Sequence, residues 1–103
     1  MNFVQWQAAF EAYSVAAAAL GQWCYASSCA HKSICMRIAY GALKEKRRHT
    51  LAIAYDEVAR KRWSKIAYSG DTRFNVDFAS TRLDESILRE ARDLYDEKME
   101  PPK

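Results

Sequence analysis

Cys24, Cys29, His31 and Cys35 lie close together in the chain, and a metal site or a thiol nucleophile would be assembled from them. Their spacing argues against a shared metal. If one helix carries them, Cys24, His31 and Cys35 share a face, but Cys24 and His31 stand about 10 Å apart along its axis. A zinc ion draws its ligands to roughly 2.0–2.3 Å, and structural sites use closely spaced cysteine knuckles that this chain lacks. His31 and Cys35 could supply half a site, with no second half in view. Three cysteines are an odd number, which suits reduced thiols in a cytoplasmic protein better than a secreted disulfide framework. The expectation is thiols without metal, buried as small core residues, and no cofactor.

Other catalytic patterns are equally weak. His31 and His49 are the only histidines, and neither a Gly-x-Ser-x-Gly elbow nor a His-Glu-x-x-His pair occurs. Gly21, Gly41 and Gly70 lie too far apart to form a phosphate cradle. Asp71 and Asp77 are a candidate carboxylate pair, but Asp71 follows Gly70 and fits a turn. No catalytic residue is assigned, and an enzyme is not expected.

Charge is the more informative feature. Residues 1–36 carry only Glu11 and Lys32, whereas residues 37–65 carry nine basic residues against three acids, a net of +6. Residues 66–103 return a net of −3. Two clusters make the middle basic: Lys44, Lys46, Arg47 and Arg48, then Arg60, Lys61, Arg62 and Lys65 with Trp63 among them. Arginine beside aromatic rings suits recognition of carboxylates, phosphates or stacked bases. The alternative is a solvated face neutralised by the chain's own acidic tail. Arg62 stands out because it falls between Val58 and Ile66, inside an apolar stripe. It must snorkel, pair with an acid of the last helix, or point at a ligand.

Helices must position these groups. With three glycines, and two prolines only at Pro101 and Pro102, the chain is poor in turn residues and fits a few long helices. Phe3, Trp6, Phe10, Tyr13, Ala17, Leu20 and Cys24 follow one another at steps of three and four, which predicts a first helix of about six turns. Gly21, or Ser27 and Ser28, would loosen or end it. Ile34 and Ile38 mark a second helix, and Leu51, Tyr55, Val58, Ala59, Trp63 and Ile66 a third. A break near Arg48–Thr50, with Thr50 as N-cap, keeps Lys44 and Arg48 off the buried face. Ser69-Gly70-Asp71 stops the third helix. Residues 74–78 alternate like a strand but have no partner strand, so they read as an extended loop. Thr81–Asp84 resembles a capping box, and Leu83, Ile87, Ala91, Leu94 and Tyr95 form the inner face of a last helix.

The fold expected is all-α: one domain over residues 1–103, an irregular bundle of three to five helices, with 95–103 as a frayed tail. Ala12–Ala30 is uncharged, but its alanines and serines lack the Leu, Ile and Phe content of a membrane span. The N-terminus lacks the cationic start of a signal peptide.

These features favour a non-enzymatic binding protein, an inhibitor or adaptor that docks on a macromolecular partner through the basic and aromatic helical face. The partner expected is a protein or nucleoprotein complex with an acidic or nucleic-acid-binding surface. One form of this is an anti-CRISPR-like protein of a phage or mobile element that blocks a host defence complex. The second reading is direct nucleic-acid binding, opposed by a net charge of only +3 and a pI near 8.8. A third is a homodimer whose seam is the aromatic stripe Phe3, Trp6, Phe10 and Tyr13.

Overall fold

The computed structural model describes residues 2–41, 48–71 and 73–99, with 95–99 described by backbone alone. Five helices follow in order: α1 (Phe3–Ala19), α2 (Tyr25–Tyr40), α3 (Arg48–Tyr68), α4 (Val76–Ala79) and α5 (Glu85–Met99). The protein is all-α, and no strand occurs among the described residues. No described helix is long and apolar enough to cross a membrane.

The ends of α1 explain its length. Asn2 accepts from the backbone N–H of Gln5 at 2.8 Å, and the Gln5 side chain accepts from the backbone N–H of Asn2 at 3.0 Å. This reciprocal pair satisfies two donors that a helix start leaves open. At the other end Gly21 adopts φ +69°, while Gln22 N–H bonds Ala17 O and Gly21 N–H bonds Ala18 O. This is the Schellman arrangement, which needs a left-handed residue after the helix. The expected helix through Cys24 therefore stops short: Leu20 is exposed, and Cys24 caps α2 instead. The inner face keeps Phe3, Trp6, Phe10 and Ala17, but Ser14 takes the inward position expected of Tyr13.

Other boundaries differ from expectation as well. Arg48 and Thr50, where the sequence predicts a break, already belong to α3. Residues 76–79 form a helical turn because Asn75 caps it, its side chain accepting from Asp77 N–H at 2.9 Å. For α5 the cap is Asp84, whose Oδ1 accepts from Ser86 N–H at 2.9 Å and Ile87 N–H at 3.3 Å. Thr81 instead bonds back to Phe78 O. The helix runs on to Met99, past the expected onset of a frayed tail at 95. Gly70, at φ +78°, closes α3 where the sequence places a stop.

α3 is the central element and packs against α5, α2 and α1. Lying between neighbours, it buries more than one stripe: Leu51, Ala52, Tyr55, Asp56, Val58, Ala59 and Trp63. Against it stack Phe3, Trp6 and Phe10 in a continuous column, with successive ring centroids 5.1 Å apart. These three rings are 2–3 % exposed, so they belong to the chain's own core. A homodimer seam built on them is not available, and only Tyr13 of that stripe is open to solvent.

Candidate functional site

A buried charged network occupies the centre of the bundle. Asp56 of α3 is 1 % exposed and His31 of α2 is fully buried. Asp56 Oδ1 lies 2.8 Å from His31 Nε2, and Oδ2 accepts from the Trp6 indole N–H at 2.9 Å and from Arg60 Nη2 at 2.5 Å. Arg60 stands one turn beyond Asp56 on α3, with its guanidinium 5.2 Å from the Tyr13 ring and 5.9 Å from that of Phe10. Burial, the largest influence, pushes the Asp56 carboxyl up. The His31 hydrogen bond, the Arg60 charge and Trp6 outweigh it and hold the group below its usual 3.8. An ionised Asp56 assigns the shared proton to His31 Nε2. Three donors then meet this carboxylate, two on Oδ2 and one on Oδ1, the kind of pairing under which a buried charge is tolerated.

Cys35, His31 and Asp56 are also the three residue types of a thiol catalytic triad, but their geometry is wrong for one. Cys35 Sγ lies 3.7 Å from the same Nε2 that faces Asp56, while His31 Nδ1 has no partner among the described residues. A relay needs the nucleophile and the carboxylate on opposite ring nitrogens. Burial pushes the Cys35 thiol well above its usual range, with the Asp56 charge adding to the effect, so it stays protonated and inert.

The donors of these three residues lie within 4.8 Å of one another. The cluster does not fit a metal ion well, because Arg60 already supplies the positive charge that Asp56 would offer a cation. Cys24, Cys29, His31 and Cys35 are not gathered at one point: Cys24 is exposed at the start of α2 and Cys29 is half-buried. A thiol-specific reagent should therefore modify Cys24 first, Cys29 more slowly, and Cys35 only under unfolding conditions. Equal rates for all three in the native protein would contradict this packing.

The basic residues fare unevenly. Lys44, Lys46 and Arg47 lie outside the described residues. Arg48 is half-buried and donates to the Gly41 carbonyl, tying the start of α3 to the end of α2. Trp63, expected on the binding face, is only 7 % exposed and packs between His31 and Trp23, because its position on α3 turns it into the core. Arg62 bonds Ser86 Oγ at 2.8 Å and Glu90 at 2.6 Å on α5, which is how an arginine inside an apolar stripe is satisfied. Lys61 pairs with Glu57 at 3.1 Å, one turn back. Lys65 has no carboxylate within ion-pair distance among the described residues.

The outer half of α3 thus forms a ridge of Lys61, Ser64, Lys65 and Tyr68, all exposed and following at helical steps of three or four. Tyr68 is 92 % exposed. On the α5 side a groove of about 250 Å³ runs along Lys61, Arg62, Lys65, Glu90 and Leu94. On the α1 side a notch of about 110 Å³ opens between Tyr13, Trp23, Arg60, Trp63 and Ser64. Charge counting could not find Tyr68, because its exposure depends on where α3 ends.

Fold and site define a small all-α protein with an internal ion network and a cationic, aromatic-tipped ridge. No known protein family matches this chain, and no curated protein or solved structure is similar to it.

Proposed function

We propose that this is a non-enzymatic docking protein that engages an acidic protein surface through the ridge of α3, as inhibitor or adaptor. The observation that carries the reading is the pairing state of its cations. Arg60, Lys61 and Arg62 each hold a carboxylate of this chain, which leaves Lys65 and the bare Tyr68 ring at the tip. Nucleic-acid binding draws its affinity from several neutralised phosphates, and a ridge already compensated by Glu57 and Glu90 offers little of that. A protein interface works with less charge: one buried aromatic and one or two cations can dominate its energy. Tyrosine suits this role, since it brings a large rigid surface and a polar tip.

The test is affinity capture from lysate with and without nuclease, using the native chain, Lys65→Glu and Tyr68→Ala. A protein partner should be retained after nuclease. Each variant should weaken retention by at least tenfold, the equivalent of about 1.4 kcal/mol, without a change in melting temperature. Recovery of nucleic acid alone, or retention indifferent to both substitutions, would refute the reading.

A further inference from the structure

We infer that the notch between α1 and α3 is a receptor for a single acidic side chain of the docked protein, with Arg60 and Trp63 as its donors. The notch lies on the α1 side of the ridge, so the inference rests on the docking reading and extends it to a second point of contact.

Arg60 is held rigidly. One guanidinium nitrogen is bound to Asp56, and its plane lies near the Tyr13 and Phe10 rings. A guanidinium carries five N–H donors, and no other acceptor among the described residues bonds this one. The side chain is 38 % exposed and lines the notch. Trp63 lines it too. Its indole N–H has no acceptor among the described residues, yet it is not sealed away from solvent as His31 Nδ1 is. Two unanswered donors on a fixed frame, walled by Tyr13 and Trp23, match a carboxylate with a short apolar stem. Asp56 is buried and takes one guanidinium nitrogen, so what Arg60 offers the notch is its remaining N–H donors.

The notch, of about 110 Å³, has room for a glutamate or aspartate side chain. The rim is furnished by Gln22 and Ser64, which suit the peptide amides flanking such a side chain.

The test is an NMR titration of the full chain with N-acetyl-glutamate α-amide, which offers one side-chain carboxylate. Its neutral isostere N-acetyl-glutamine amide and inorganic phosphate serve as comparison probes. The carboxylate should give saturable shifts of the Trp63 and Trp23 indole resonances, with the Trp6 indole little moved, and bind at least tenfold more tightly than the amide or phosphate. Ser64→Leu fills the rim without touching the Arg60–Asp56 pair, and should weaken that binding at least tenfold with an unchanged melting temperature. Arg60→Lys should weaken it while keeping the charge.

No shift at tens of millimolar probe, equal binding of the amide, equal binding of phosphate, or indifference to Ser64→Leu would each overturn the inference. The two readings fail separately. A partner still captured through Lys65 and Tyr68, with no carboxylate bound in the notch, removes the notch alone. A carboxylate bound there by a chain that captures no protein removes the docking reading.

Discussion

Asp56→Ala should be among the most destabilising single substitutions in the chain, costing about 3–5 kcal/mol, because it strands a buried ion-pair partner. Arg60 loses its carboxylate, His31 its acceptor at Nε2, and the Trp6 indole its hydrogen bond. Asp56→Asn keeps the shape and one acceptor, so it should fall between the alanine variant and the native chain. The same network has a pH signature. The folded pKa of Asp56 lies below its ordinary 3.8, so its stabilisation is fully present above that value and is lost as pH falls through the folded value. The gap between native chain and Asp56→Ala in denaturant unfolding should be full at neutral pH and narrow at about pH 3 and below. A cost under about 1 kcal/mol at neutral pH, typical of ordinary positions, would mean the network is not built as described.

Trp6→Ala should be comparably severe, at about 3–5 kcal/mol, the range for deleting a buried aromatic side chain. Trp6 is 3 % exposed, stacks between Phe3 and Phe10, and also supplies a hydrogen bond to Asp56. Trp6→Phe separates the two contributions, since it keeps most of the stacking and removes the N–H. A loss of about 1–3 kcal/mol is expected for a bond to a buried carboxylate. For a domain of this size the alanine variant should melt more than about 12 °C below the native chain. A melting temperature within a few degrees of native would move the α1 stripe out of the core.

Much of the fold is written in local pattern. The Phe3–Trp6–Phe10 spacing and the Leu51–Trp63 stripe predict buried faces that α1 and α3 do bury. Arg62 interrupts an apolar stripe and accordingly finds Glu90. Asp56 interrupts one too, since Ala52, Asp56, Ala59 and Trp63 succeed each other at steps of four, three and four. That warning is easy to miss, because an aspartate beside Glu57 and ahead of Arg60 also reads as a solvated charge run. Which of its faces α3 buries depends on neighbours that no single helix pattern encodes. The same limit hid Trp63, whose place beside four charged residues suggests the surface, although α2 and the α1–α2 connection draw it inside. The end of α1 was obscured for a different reason. Three-four spacing continued to Cys24 by chance, whereas the left-handed Gly21 closes the helix through backbone hydrogen bonds. Tertiary position also decides the use of Arg62, since Glu90 meets it only once α3 and α5 are packed, whereas the Lys61–Glu57 pair is local to α3.

Site-specific photocrosslinking tests the docking account most directly. A benzophenone amino acid placed at position 68, on the tip of the ridge, should yield an adduct with one protein that persists after nuclease treatment. The same group at position 4, exposed at the start of α1 near His49 and so at the other end of α3 from the ridge, should not yield that adduct. Adducts with nucleic acid from position 68, or a protein adduct formed only from position 4, would contradict the assignment of the α3 ridge as the working surface.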